Sequence, residues 1–196
     1  MSPRILAIIL IATAPVQDAW AGRAEKAVAT VQLSDPAGSA VEPLKNHGQK
    51  ATLLFFLTPD CPLCNTYAPE IARIVGEYQE QGVQSYAIFT DEPAAEISRH
   101  LREYKLPLTA LLDPRLQLAT LTGATVTPEA CLLSPDGQVL YRGRIDDRAV
   151  KLGTVRAEPR QRDLRLALDA VLASKKVAEK FTKAIGCYLP IPTNSK

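Results

Sequence analysis

The segment ATLLFFLTPDCPLCNTYAPEIARIVGEYQEQGVQSYAIFT, residues 51–90, carries the strongest structural pattern in the chain. It opens with a continuous apolar run at 51–58, whose length and aromatic content are typical of a strand buried on both faces. A second such run follows at 83–90. Between the two runs, apolar residues recur at helical spacing until Gly82: Ile71, Ile74, Val75 and Tyr78. Strand, helix and strand over about forty residues predict a βαβ unit with parallel strands.

The chain downstream continues to alternate helices and strands. An amphipathic pattern predicts a helix over 92–106, and alternating apolar residues predict two strands around a hairpin turn at 135–137. The other predicted elements are a strand at 108–113, a helix at 114–123 and a closing helix at 160–174. Together they indicate an α/β domain with a mixed central sheet and helices on both faces. We expect this domain to cover 22–174, followed by a C-terminal tail at 175–196.

The start of the chain has the composition of an export signal. Arg4 precedes an unbroken apolar run at 5–14, and the tripeptide Ala-Trp-Ala at 19–21 has the form that a signal peptidase recognises. The apolar run is shorter than the roughly 20 residues of a membrane span, and no later run is long enough. We therefore expect a signal peptide at 1–21, cleavage near Ala21, and a periplasmic or secreted protein without a membrane span.

The charge balance argues against a polyanionic partner. The chain has 23 Lys and Arg against 21 Asp and Glu, a formal net charge of +2. That bias is too weak to predict binding to nucleic acid. Arginine is concentrated between Arg142 and Arg165, where it alternates with acidic residues, and alternating signs are typical of a solvated, ion-paired face.

Two of the four cysteines, Cys61 and Cys64, stand three apart at the predicted start of a helix. Pro62 is favoured in a first helical turn, so Cys61 should cap the helix with its sulfur near unpaired backbone N–H groups. Those groups and the helix dipole stabilise a thiolate and lower the pKa of a cysteine. We expect an exposed, acidic first thiol and a more buried second thiol within disulfide reach, as thiol–disulfide exchange requires.

At these positions the sequence resembles the thioredoxin superfamily. The motif C-x-x-C-x-x-x-A-P at 61–69 reproduces the superfamily's redox motif with its kink proline. The segment GATVTPEACLL places Pro128 where such proteins carry a cis-proline facing the cysteine pair. The segment LTALLDPRLQLATLTGATVTP is similar to the additional helix and strand of the redoxin branch, which includes TlpA-like thioredoxins and peroxiredoxins. The resemblance covers roughly residues 30–172.

This resemblance implies a thioredoxin-like fold and a thiol–disulfide oxidoreductase. Cys61 would be the nucleophile and Cys64 the resolving thiol, while Thr127 and Pro128 would shape a groove that pairs with a bound substrate chain. The implied partners are protein thiols or disulfides and a redox partner that resets the pair. No organic cofactor is implied, because the disulfide itself carries the two electrons.

Three features depart from the thioredoxin pattern. Asp60 replaces the tryptophan before the first cysteine, where its carboxylate opposes thiolate formation, and Phe55 stands where thioredoxins carry a buried acid. The dipeptide between the cysteines is Pro-Leu rather than Gly-Pro. A reduction potential therefore does not transfer from thioredoxin. Glu129, which follows the expected cis-proline, is a candidate proton relay or an exposed glutamate at a strand edge.

The first alternative is a thiol peroxidase of the peroxiredoxin type, with Cys61 as its peroxidatic cysteine. Thr58 matches that family's Thr-x-x-Cys element, and either Arg142 or Arg144 would hold the thiolate. Leu54 stands in place of the family's proline, however.

The second alternative is a copper-binding or copper-delivering protein. Copper(I) favours thiolate ligands, which Cys61 and Cys64 would provide. Related copper proteins add a downstream histidine. Here His47 precedes the first core strand and His100 lies on a predicted surface helix, and we expect both to be solvated.

The remaining two cysteines have different settings. Strand alternation points Cys131 inward, as a buried and inert thiol. Cys187 lies in the segment AIGCYLPIP, within an otherwise polar tail. One hypothesis is that the tail folds back and makes Cys187 a third redox partner, or a metal ligand, for Cys61. The other is a tail cysteine that pairs with nothing.

Overall fold

A computed structural model describes residues 31–190 of the chain. The predicted signal peptide at 1–21 lies outside these residues. The strands of the central sheet are, in chain order, β1 (Leu33–Ser34), β2 (Ala40–Val41), β3 (Ala51–Phe56), β4 (Val83–Phe89), β5 (Thr109–Leu112), β7 (Glu129–Leu133) and β8 (Val139–Gly143). Four short strands lie outside this sheet: β6 (Val126–Thr127), β9 (Ala149–Lys151), β10 (Thr154–Val155) and β11 (Cys187–Tyr188). The helices are α1 (Pro62–Gln79), α2 (Ala94–Glu103), α3 (Gln117–Thr122) and α4 (Asp163–Leu172).

The central sheet has seven strands in the order β2-β1-β5-β4-β3-β7-β8. Its middle strands β3, β4 and β5 are parallel, and all other neighbours are antiparallel. The predicted βαβ unit is therefore confirmed, and the mixed sheet with it. Element ends differ by a few residues: the predicted helix at 92–106 spans Ala94–Glu103, for example, because Pro93 caps its start in an extended conformation.

Helices cover both faces of the sheet, as predicted. All six residues of β3 are buried, and they alternate between two apolar clusters. Leu53 and Phe55 face a cluster that includes residues of α1, α2 and α4, while Leu54 and Phe56 face a cluster that includes α3. Helices α1 and α2 share one face because two successive right-handed crossovers in the same direction place them there. Within residues 31–190, no helix combines the length and apolar content that a bilayer span requires.

The arginine-rich region is ion-paired, but two of its carboxylates, those of Asp146 and Asp163, are buried and not solvated as the sequence suggested. Arg144 donates two hydrogen bonds to Asp163, whose carboxylate is buried. Arg148 pairs in the same way with the buried carboxylate of Asp146. The prediction of a solvated face was wrong because each long guanidinium covers a shorter acid while its own surface stays partly in water.

Candidate active site

The cysteine pair lies at the N-terminal end of α1. Cys61 is the N-cap residue with an extended backbone, and Pro62 is the first helical residue. The amide of Asn65 donates to the carbonyl of Cys61 at 3.2 Å, which closes the first helical turn. Pro69 lies inside the helix, which continues to Gln79.

Both thiols of the pair are buried. Cys61 and Cys64 are each 1% exposed, and all four cysteines of the chain are free thiols. The expectation of an exposed first thiol was therefore wrong. Its cause is the C-terminal segment, which brings the sulfur of Cys187 to 3.2 Å from that of Cys61 and covers it.

The residue before Pro128 contacts the cysteine pair from the opposite side. The Thr127–Pro128 peptide bond is cis, in agreement with the resemblance to thioredoxins. The carbonyl oxygen of Thr127 lies 3.3 Å from the sulfur of Cys61, which donates to it when protonated. Strand β6 pairs antiparallel with β11, so that Cys187 is opposite Thr127 and Tyr188 is opposite Val126. The chain's own tail thus occupies the side of Thr127 where a substrate chain was expected.

The three sulfurs differ in their tendency to ionise. A hydrogen bond from Cys64 is the main reason why the pKa of Cys61 is lowered to about 5, against the opposing effect of burial and with a smaller contribution from Cys187. Burial raises the pKa of Cys64. The hydrogen bond that Cys187 donates to Cys61 raises the pKa of Cys187 to about 11. At neutral pH the site therefore holds one thiolate between two protonated thiols.

Glu129 makes its hydrogen bonds away from the cysteine pair. Its carboxylate accepts hydrogen bonds from the amides of Thr125 (2.7 Å) and Val126 (3.3 Å), and it lies 3.6 Å from the guanidinium of Arg142. It is 4% exposed, so the expectation of an exposed edge residue was wrong. The carboxylate thus provides the hydrogen-bond acceptor for the backbone N–H groups at the start of β6. A proton relay to Cys64 finds no support in this geometry.

The residues of the peroxidase alternative do not assemble around Cys61. Arg142 donates to the carbonyls of Thr122 and Gly123, and Arg144 donates to the carboxylate of Asp163. Among residues 31–190, no arginine makes a hydrogen bond or salt bridge to the sulfur of Cys61. Thr58 contacts Cys61 through its backbone, because its carbonyl accepts from the Cys61 amide at 3.3 Å.

Neither histidine makes a hydrogen bond to the cysteine pair. His47 is exposed, as expected, but His100 is 3% exposed, so the prediction of a solvated side chain was wrong. Its ring packs between Phe89 and Tyr104, with centroid distances of 6.4 and 4.7 Å. Burial lowers the pKa of His100. In the described part of the chain, no group of three or more His, Cys, Asp or Glu side chains is arranged to hold a metal ion.

Cys131 is fully buried, as expected from strand alternation. It belongs to the apolar cluster on the sheet face opposite the cysteine pair. Burial raises its pKa to about 12, so it stays protonated.

Sequence reasoning missed a polar cluster on the cysteine helix. The hydroxyl of Tyr67 donates to the carboxylate of Asp146 at 2.7 Å and accepts from the amide of Ala149 at 3.2 Å. The guanidinium of Arg148 lies 4.7 Å from the centre of the Tyr67 ring. Together with Pro128 and Ile185, the Tyr67–Asp146 pair lines a small cavity beside the tail. No local pattern could have joined these residues, because Tyr67 and Asp146 are 79 positions apart.

Comparisons with known proteins place the chain among redox proteins of the same fold. Among curated proteins, the thiol-disulfide oxidoreductase ResA of Halalkalibacterium halodurans is 28% identical over 118 residues. The match covers 60% of this chain and 66% of that protein, slightly less than two thirds of its length.

Solved structures share the fold. A hypothetical protein from Sinorhizobium meliloti superimposes with a TM-score of 0.71 and 25% identity, over 84% of this chain and 92% of its own. A secreted disulfide oxidoreductase from Mycobacterium tuberculosis gives a TM-score of 0.52 and 18% identity, over 76% of this chain and 98% of its own. At that identity the second likeness concerns the fold alone. The fold is thioredoxin-like, as the resemblance implied. The family model for AhpC/TSA matches residues 24–142, more than half of the chain, which therefore belongs to the AhpC/TSA family.

Proposed function

We propose that the protein is an exported thiol–disulfide oxidoreductase that uses Cys61 and Cys64 as its redox pair. The observation that carries the proposal is the acidic sulfur of Cys61, held at a helix start with a protonated Cys64 one turn away. The ResA relative is named for the same reaction class. The separation of the two pKa values suits a pair in which one thiol attacks and the other resolves.

The reaction runs in two exchanges. The Cys61 thiolate attacks one sulfur of a substrate disulfide, and the other substrate sulfur leaves with the bond's electron pair and takes a proton. Cys64 then loses its proton and attacks the sulfur of Cys61, which releases the second substrate thiol and leaves a Cys61–Cys64 disulfide. The same steps in reverse would oxidise a dithiol. A second redox protein must reset the pair after each cycle.

Protein chains are the substrate class that the groove suits. The carbonyl of Thr127 lies 3.3 Å from the Cys61 sulfur and belongs to a short strand that pairs with an extended segment. A substrate strand in that place would present its own sulfur to Cys61. Thr127 and Pro128 would then position the substrate, and neither would take part in the chemistry.

Export is inferred from the leader pattern. The apolar run at 5–14 and the tripeptide at 19–21 support cleavage near Ala21 and a periplasmic or secreted location. We infer a redoxin domain over 22–174 and a tail over 175–196. Sequencing the N-terminus of protein recovered from the exported fraction would test this part, and a full-length chain retained in the cytosol would contradict it.

The oxidoreductase role is tested by the rate at which an equimolar amount of the reduced enzyme reduces a disulfide-bonded model protein. We expect Cys61→Ser to reduce the rate to the uncatalysed level. Cys64→Ser combined with Cys187→Ser, which removes the other thiol near Cys61, should accumulate a mixed disulfide between Cys61 and the substrate. The control is Cys131→Ala, which should keep the wild-type rate because Cys131 lies on the opposite face of the sheet. Persistence of the rate in Cys61→Ser would refute the proposal.

A further inference from the structure

Hydrogen bonds hold the C-terminal segment to the domain on both sides of strand β11. Before the strand, the amide of Thr182 donates to the carbonyl of Arg142 at 3.0 Å, and the amide of Arg142 donates to the carbonyl of Lys180 at 2.8 Å. The hydroxyl of Thr182 is 2.6 Å from that of Tyr141. After the strand, the amide of Leu189 donates to the carbonyl of Thr125 at 2.9 Å. The tail is thus held to the domain on both sides of Cys187.

Two glycines permit this close approach. A Cβ at Gly186 would overlap the backbone of Thr127, the residue that pairs with Cys187. A Cβ at Gly143, which ends β8, would overlap the carbonyl oxygen of Thr182. Gly143 also has a φ of +148°, which side-chain-bearing residues rarely adopt. One glycine stands on the tail and one on the domain, so the two surfaces are fitted to each other.

The strand brings a sulfur to the position that a substrate sulfur would occupy. Cys187 is opposite Thr127, and its sulfur is 3.2 Å from that of Cys61. Cys61 is 1% exposed beneath it. An external chain that pairs with Thr127 must therefore displace the tail first.

We propose that residues 186–188 occupy the position of a substrate strand, and that Cys187 is a third redox cysteine. In this role Cys187 replaces Cys64 in a disulfide bond with Cys61. This inference rests on the proposed function, which supplies the oxidised Cys61–Cys64 pair. Cys187 loses its proton and attacks the sulfur of Cys61, so that the Cys61–Cys187 bond forms as the Cys61–Cys64 bond breaks. The electron pair leaves on the sulfur of Cys64, which takes a proton. No external oxidant is consumed, because the step only moves a disulfide.

The position of the tail is tested with Gly186→Ala, which keeps all four cysteines. In the fully reduced protein at neutral pH, we expect alkylation of Cys61 to be about tenfold faster in this variant than in the wild type, because the strand no longer covers the sulfur. The matched control is Gly76→Ala, in the middle of α1, where a Cβ meets nothing within 4 Å and the rate should not change. Equal rates in wild type and Gly186→Ala would overturn the proposal. If Gly186→Ala does not fold, as judged by circular dichroism, a chain ending at Ile185 replaces it.

The exchange step is tested by mapping disulfides. Each protein is treated with oxidised glutathione, quenched in acid and digested for mass spectrometry. We expect both Cys61–Cys64 and Cys61–Cys187 bonds in the wild type and the Gly76→Ala control, but only Cys61–Cys64 in Gly186→Ala. A wild-type protein without the Cys61–Cys187 bond at any glutathione ratio would overturn the proposal.

The bond mapping does not depend on substrate turnover, so the two proposals fail separately. Failure of the oxidoreductase role would appear as turnover that persists in Cys61→Ser.

Discussion

At the scale of single residues, position and not residue type decides what each cysteine can do. Cys61 receives hydrogen bonds from two neighbouring thiols, and its pKa is lowered to about 5. Cys131 is surrounded by apolar side chains, which raise its pKa to about 12. The thiolate is the nucleophilic form of a cysteine, and at neutral pH Cys61 is the cysteine that is mainly in this form, so it starts the exchange.

Thiolate absorbance near 240 nm checks this assignment. In the reduced protein we expect one thiolate to form with a midpoint near pH 5, because the other cysteines have raised pKa values. Cys64→Ala should move the midpoint upward, since Cys64 contributes the largest stabilisation of the anion. Cys131→Ala is the control and should leave the midpoint unchanged. A wild-type midpoint near the ordinary value of 9, or no shift in Cys64→Ala, would contradict the electrostatic account.

At the scale of elements, one buried carboxylate joins the cysteine helix α1 to the closing helix α4. Glu70 is 3% exposed and accepts hydrogen bonds from Arg73 on its own helix (2.7 Å) and Arg165 on α4 (2.8 Å). Burial raises the pKa of Glu70, but the hydrogen bonds from these two arginines outweigh it and hold the pKa below its ordinary value. The charge therefore stabilises the orientation of the helix that carries Cys61.

Replacing Glu70 should destabilise the protein in a pH-dependent way. At pH 7 we expect Glu70→Gln to lower the free energy of unfolding by about 1–3 kcal/mol, because Arg73 and Arg165 lose the charged acceptor of their hydrogen bonds. A lowered pKa stabilises the fold above the ordinary value of 4.5 and ceases to do so as the pH falls through the folded-state pKa. The difference between wild type and variant in urea unfolding should therefore shrink between pH 7 and pH 3.

Glu158→Gln provides the control for this measurement. Its side chain is 85% exposed and 3.8 Å from Arg162, so the substitution should have little effect at either pH. Equal effects of the two substitutions at pH 7 would contradict the role of Glu70 between the helices.

At the scale of the whole molecule, the fold consists of a buried sheet and an attached tail. The adjacent strands β4, β3 and β7 are almost entirely buried. The tail is attached at the edge strand β8 and at the two-residue strand β6. Both pairings are short and lie outside the ladders of the central sheet, an arrangement that allows a segment to open without global unfolding.

Amide hydrogen exchange should be faster in the tail than in the central sheet. We expect the amides of Thr182 and Leu189 to exchange faster than those of β3, because they are released by local opening of the tail. In Gly186→Ala the amide of Leu189 should exchange faster still, with β3 unchanged, whereas Gly76→Ala should behave as the wild type in the tail. Tail amides as protected as those of β3 would show that the tail opens only on global unfolding, and would exclude a displaceable strand.

Local patterns predicted the framework well. The period of apolar residues indicated the strands and helices between 51 and 172, and Pro62 indicated the start of α1. Such features depend on neighbours within a few positions along the chain. The predictions for His100 and Glu129 were wrong about burial because a polar side chain can be covered by elements distant in sequence.

The sequence by itself thus determined the α/β order and the cysteine pair at a helix start, since each follows from periodicity or from adjacent residues. It also carried the motifs whose resemblance indicated the family. Only the tertiary structure decided that Cys187 lies against Cys61, which is 126 positions away. It also decided that Cys61 is covered by the chain's own strand and not exposed. The physical reason is that strand pairing and close packing depend on the fit of two distant surfaces, such as Gly186 on Thr127, which no local period encodes.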